Sequence, residues 1–209
     1  MEISIRLNNV SKKYINEWIF RDLSYTIKPF EKLVILGSNG SGKSTLLQSV
    51  ASYLIPTKGE VIWEAGNEKI ADEEVYKKLS MASPYMELIE DFTLAEAVEH
   101  QKEFKPFVNN MSVKEVISIM ELETASGKFI KNFSSGMRQR AKLGLAILAD
   151  CPVLLLDEPC TNLDAKAIAW YKQMIARYAM HKTVLVCSNT VTDEYAFCTT
   201  SLEIEKFKK

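Results

Sequence analysis

The segment Gly37-Ser38-Asn39-Gly40-Ser41-Gly42-Lys43-Ser44, with Thr45 after it, restricts the fold more than any other. It fits G-x-x-x-x-G-K-[ST] without a mismatch. The apolar run Leu33-Val34-Ile35-Leu36 before it reads as a buried parallel strand, and Leu46-Leu47 after it are the first apolar residues of a helix. A phosphate chain needs many donors at close range. Glycines at 37, 40 and 42 let backbone N–H groups turn inward where a Cβ would obstruct them. The helix opening at Lys43 adds its positive end to the same anion site. In this pattern Lys43 reaches the β- and γ-phosphates, the Ser44 hydroxyl suits Mg²⁺, and Thr45 is a spare hydroxyl at the helix start.

The chain has 209 residues, long for one domain and short for two, so one compact core carrying an inserted subdomain is expected. A formal charge of −1 gives no basic excess, and nucleic acid is not an expected partner. Cys151, Cys160, Cys187 and Cys198 lack C-x-x-C spacing and suitably placed histidines, so each is expected to be a small apolar residue in a reducing compartment. The N-terminus lacks the pattern of a signal peptide, and no apolar stretch reaches about 18 residues. The chain is therefore expected to be soluble, reaching a membrane only through a partner.

Ile3, Ile5 and Leu7, and then Leu23, Tyr25 and Ile27, alternate with polar residues and predict two strands of an antiparallel layer. Tyr14 lies between them; from position alone it is equally a purine-stacking aromatic or a packing residue. A helix over about 43–53, a strand over 60–64 closed by Gly66-Asn67, a short helix capped by Asp72 through Lys78, and a strand over 79–82 follow. Thr93 with Glu96 and Ser112 with Glu115 form capping boxes that predict helices over 93–104 and 112–122, with a loop over 105–111 between them. A third helix starts at Ser134 or Ser135 and runs to Ala149. The fold class is thus α/β, with a mainly parallel sheet, an antiparallel β layer and an α-helical subdomain. The core is expected over about 1–85 and 151–209, and the helical subdomain over about 86–150.

Val153-Leu154-Leu155-Leu156 is a fully apolar strand ending on Asp157-Glu158, and active-site carboxylates sit at such strand ends in open parallel sheets. Asp157 can hold Mg²⁺ opposite Ser44, and Glu158 can accept a proton from attacking water. A helix over about 164–178, a strand over 183–187, a short helix over 192–197 and a last strand through Leu202 and Ile204 complete the pattern.

Asn132-Phe133-Ser134-Ser135-Gly136-Met137-Arg138-Gln139-Arg140, about seventeen residues before Asp157, resembles the signature motif of the ABC ATPase superfamily. Thr161-Asn162-Leu163-Asp164 resembles its D-loop. The S-S-G-M form is similar to the variant of many bacterial exporter ATPases. The resemblance implies an ATP-binding, ATP-hydrolysing subunit that uses ATP and Mg²⁺ and pairs with a second ATPase subunit as a homodimer or heterodimer. Ser134, Ser135 and Gly136 would then contact the γ-phosphate held by the partner's loop. It also implies a separate integral membrane permease, a cytoplasmic location at the inner face of the membrane, a stacking role for Tyr14, and no appended regulatory domain. Ser135 stands where the family pattern has a second glycine and Met137 where it has a glutamine, and two further departures matter more. Tyr85, in Ser83-Pro84-Tyr85-Met86, stands where the family has a glutamine that helps organise Mg²⁺, and Asn189 stands where it has a switch histidine. The apolar set Tyr85, Met86, Leu88 and Ile89 fits either a groove for a helix of the membrane partner or packing under the helical subdomain. Hydrolysis is expected to be slow but present. The other classes weighed are a nucleotide-gated module with very weak hydrolysis and a soluble non-transport ABC ATPase.

Overall fold

The computed structural model describes residues 2–208. Its elements in chain order are β1 (Ile3–Tyr14), β2 (Glu17–Ile27), β3 (Lys32–Leu36), α1 (Lys43–Val50), β4 (Lys58–Ala65), β5 (Glu68–Ile70), β6 (Leu79–Ala82), α2 (Leu94–Phe104), α3 (Val113–Ile119), α4 (Ser135–Leu148), β7 (Val153–Asp157), α5 (Ala165–Tyr178), β8 (Thr183–Ser188), α6 (Thr192–Tyr195) and β9 (Thr200–Glu203). Four strands make an antiparallel sheet in the order β2-β1-β4-β5, and five make a second sheet in the order β6-β7-β8-β3-β9, whose strand pairs are all parallel. The parallel strands are short apolar runs, and β7 and β8 are buried along their whole length, as sheets covered on both faces require.

The strands of the parallel sheet divide two cores between them. Leu33, Ile35, Val153, Leu155, Leu185 and Cys187 face one core, shared with Leu46, Leu47 and Val50 of α1 and with the antiparallel layer. Val34, Leu154, Leu156, Val184 and Val186 face the other, shared with α2 to α5. This follows from the period of two along each strand. The capping boxes at Thr93 and Ser112 form as expected, and Ser134 caps α4 by accepting from the Met137 N–H at 3.2 Å.

Several boundaries differ from those read in the sequence. The first two strands are longer, and Ser11–Tyr14 belongs to β1 rather than to a connection. Shifts of register between Leu7 and Val10 and again up to Lys13 break the alternation and hid the extension. Asp72 is not a cap: the segment Asp72–Lys77 is a 3₁₀ helix preceded by Ala71, with Asp72 only an acid in its first turn. α1 stops at Val50, and Ser52 turns left-handed at φ 56°. α3 ends at Ile119, and the chain reverses through Glu121 at φ 53°. The expected loop over 105–111 contains a short 3₁₀ turn, Val108–Asn110. α6 covers only Thr192–Tyr195. The last strand ends at Glu203; Ile204 begins a 3₁₀ turn, and its buried side chain lies beneath the phosphate-binding loop.

Candidate active site

The strand order brings the carboxyl ends of β3, β7, β8 and β6 side by side, and the catalytic candidates follow from that register. Asp157 pairs with Cys187, and Leu36 with Ser188, so the loop after β3, the acidic pair after β7 and Asn189 after β8 emerge together. A cavity of about 540 Å³ opens there, lined by residues 39–45, Ile19, Gln48, Tyr85 and Glu158.

Residue 42 must be glycine for two reasons. Its φ is 102°, and a Cβ there would lie 2.4 Å from Cγ2 of Ile19. Residue 37 is confined by close approach alone, since a Cβ would meet Ser41 Oγ at 2.5 Å and Ile204 Cγ2 at 2.8 Å. Leu46 N–H donates to Gly42 O at 2.9 Å, the first regular bond of α1, which leaves the N–H groups of Lys43, Ser44 and Thr45 without a helical acceptor, while Ser41 N–H donates to Ser38 O at 3.1 Å. Lys43 is buried and donates to the carbonyls of Gly37 at 2.9 Å and Ser38 at 3.0 Å. The lysine thus lies folded back on its own loop. Glu205 braces the outer side, accepting from Ser38 N–H at 3.0 Å and Ser38 Oγ at 2.6 Å, and these bonds hold its carboxyl below the usual range.

Asp157 is buried, and burial raises its carboxyl above the usual range, opposed by the hydroxyls of Ser44 and Ser83. Its Oδ2 accepts from Ser83 Oγ at 3.2 Å, while its Oδ1 is buried without a partner. A carboxylate with one free buried oxygen beside a serine at a helix start suits a hard divalent cation, so these residues fit Mg²⁺. Glu158 stands on left-handed backbone at φ 46°, held by its N–H on Cys187 O at 2.9 Å and by Thr161 N–H on its own carbonyl at 3.1 Å. That turn is how its carboxylate comes to line the cavity.

The other candidates are placed as follows. Asn189 lies beside the loop, its Nδ2 donating to Asn39 Oδ1 at 2.8 Å. Tyr85 is exposed and lines both this cavity and a neighbouring one of about 480 Å³ with Tyr53, Tyr76 and Met86. Tyr14, the last residue of β1, is half-exposed with Lys12 Nζ 5.3 Å from its ring centroid, and it does not line the cavity. Ile19 of the same hairpin does. Ser134, Ser135 and Gly136 are away from this cavity; the two serines are exposed at the start of α4, and a Cβ on Gly136 would be 3.2 Å from Asn162 O in the loop before α5.

Four residues that sequence reasoning passed over support these positions: Ile19, Ser83, Gln139 and Glu194. Gln139 Nε2 donates to Pro159 O at 2.9 Å, tying α4 to the turn after Glu158. Glu194 is buried, which raises its carboxyl, and it accepts from Cys160 N–H at 3.2 Å and from the Ser188 hydroxyl. Only Ser83 had a signal in the sequence. It follows a strand parallel to the one that ends on Asp157.

The sheet, the glycine cradle on a helix start and the paired carboxylates define a P-loop nucleoside-triphosphatase fold. A family model described as "ABC transporter" matches residues 20–161. The chain belongs to that family. It is similar to the "Uncharacterized ABC transporter ATP-binding protein YcbN" of Bacillus subtilis (strain 168), 30% identical over 174 residues, 83% of this chain and 57% of that protein. It is also similar to YybJ of the same organism, likewise described, at 26% identity over 96% of this chain and 92% of that protein. The solved "Dimeric Structure of MJ0796, a Bacterial ABC Transporter Cassette" matches with a TM-score of 0.79 and 26% identity, covering 96% of this chain and 95% of that one. The chain thus spans a little over half of the first relative's length and nearly all of the second's. Among the described residues no helix is long and apolar enough to cross a membrane.

Proposed function

We propose that this chain is the ATP-binding and ATP-hydrolysing subunit of an ABC transporter, driving a separate integral membrane permease. The observation that carries this reading is the convergence of Glu158 and the loop over 39–45 on one cavity. The triphosphate lies along the amides of that loop, and Lys43 exchanges its bonds to Gly37 and Ser38 for phosphate oxygens. Ser44 and the free oxygen of Asp157 are the residues that would hold Mg²⁺. When bound, the cation supplies positive charge to the phosphate oxygens. Glu158 takes the proton of the attacking water.

Tyr14 and Ile19, both of the first hairpin, flank the site for the base, Tyr14 by stacking on the purine. The exposed serines at the start of α4 serve a second cassette: Ser134, Ser135 and Gly136 of one subunit close on the loop of the other, head to tail, in a homodimer or heterodimer. MJ0796 is a dimer by its description. We take the helices α2 to α4 as the inserted subdomain of a single cassette. A groove of about 330 Å³ between β6, α2 and α4, lined in part by Met86, Leu88 and Phe104, receives a helix of the permease. That contact holds the subunit at the inner face of the membrane.

ATP turnover with a Glu158→Gln variant tests the reading. The variant keeps ATP binding and loses hydrolysis. Equal turnover in the two proteins overturns it. One observation favours a second reading, a nucleotide-gated module with very weak hydrolysis: the Asn189 amide is engaged with Asn39 rather than free to face a phosphate.

A further inference from the structure

The metal-side carboxylate has a partner that none of the recognised motifs includes. β6 and β7 run parallel in register, Leu79 beside Val153 through Ala82 beside Leu156. The next residue on each strand is Ser83 on one and Asp157 on the other. Ser83 is 2% exposed, and its hydroxyl donates to Asp157 Oδ2 at 3.2 Å. Ser83 Oγ in turn accepts from the Tyr85 N–H at 3.4 Å. A carboxylate with both oxygens free can turn about its Cβ–Cγ bond, whereas one pinned through Oδ2 presents Oδ1 in a single direction. Here Oδ1 is the buried oxygen without a partner. Tyr85 carries no amide oxygen, yet the two-residue step from it back to Ser83 ends on the carboxylate itself.

We propose that Ser83 is a positioning residue for the cation. Its hydroxyl sets the rotation of the Asp157 carboxylate, and through the Tyr85 amide it ties the segment after β6 to that setting. The inference rests on the reading of Asp157 as a cation ligand, and it assigns to a buried hydroxyl part of the organising work that the Tyr85 side chain, which carries no amide oxygen, cannot supply. Outer partners that orient a metal ligand contribute roughly ten- to hundredfold in metal affinity.

The test measures Mn²⁺ binding to the ADP-loaded protein by electron paramagnetic resonance, alongside binding of a fluorescent ADP analogue in EDTA. Ser83→Ala is expected to weaken Mn²⁺ by about tenfold while leaving metal-free nucleotide binding unchanged, which also shows that the variant folds. Ser83→Thr keeps the hydroxyl and is expected to stay within about twofold of the wild type, a difference smaller than the loss of an outer partner. Wild-type Mn²⁺ affinity in Ser83→Ala, or equal losses in the alanine and threonine variants, would overturn the proposal. Asp157→Asn separates the two levels of inference. If it binds Mn²⁺ as the wild type does, the assignment of Asp157 itself fails; if it loses Mn²⁺ while Ser83→Ala does not, only the role of Ser83 fails.

Discussion

The left-handed turn at Glu158 makes a prediction that separates backbone strain from chemistry. A residue with a Cβ pays roughly 1–2 kcal/mol to sit in that region, and Glu158 is held there at φ 46° by hydrogen bonds on both sides, from its own N–H to Cys187 O and from Thr161 N–H to its carbonyl. Glu158→Ala and Glu158→Gly remove the same carboxylate, so any difference between them is a difference in backbone. Glycine relieves the strain but raises the entropy of the unfolded chain, which returns about 0.4–1 kcal/mol. The balance is about 1 kcal/mol in favour of glycine, and for a chain of this length that is a rise in Tm of about 2–4 °C. The assay is paired thermal and urea melting of the two nucleotide-free variants, with ATP turnover measured in parallel. Both variants are expected to hydrolyse nothing. A glycine variant no more stable than the alanine variant would refute the claim that the fold strains its backbone to aim this carboxylate.

Asn189→His should raise ATP turnover several-fold, since an aimed donor at a developing charge contributes up to about 2.7–4 kcal/mol; unchanged or lower turnover counts against that role for position 189. Glu194→Ala leaves the buried Cys160 N–H without its acceptor and should cost about 1–3 kcal/mol in urea unfolding, with Glu194→Gln closer to the wild type. Burial pushes the Lys182 ammonium down to about 8 from its usual 10.5. Between those values the unfolded chain binds more protons, so this group makes stability rise with pH across that window. Comparing melting of the wild type and Lys182→Met from pH 7.5 to 10.5 should show that this contribution to the slope is lost in the variant.

What was legible in the sequence is what depends on short spacings. The glycine cradle, the strand ending on Asp157 and the two capping boxes each involve residues within a few positions of one another, and the structure forms them as read. The hairpin of β1 and β2 was seen only at its ends, because bulges near Val10 and Lys12 reset the alternation that periodicity relies on. The supports of the site were hidden for a different reason. Ile19 reaches the cavity from a strand before the loop, Gln139 reaches Pro159 from another helix, and Glu194 holds Cys160 from 34 positions away. No local pattern carries such contacts. Tyr14, singled out by position, ends its strand, and Ile19 of the same hairpin, which no motif marked, lines the cavity.

The division of the interior by the parallel sheet has a mechanical consequence. The helix that carries the phosphate cradle is rooted on one side of that wall, and the helix that begins with Ser134-Ser135-Gly136 is rooted on the other. A tilt of α2 to α4 therefore acts first on their own compartment, which the strand before the cradle shares through Val34 and Leu36, while Leu46, Leu47 and Val50 of α1 lie on the other side. In the head-to-tail pair proposed above, the cradle and the start of α4 would thus stand on different footings within each subunit. The bond from Gln139 Nε2 to Pro159 O carries such a tilt into the turn that follows Glu158.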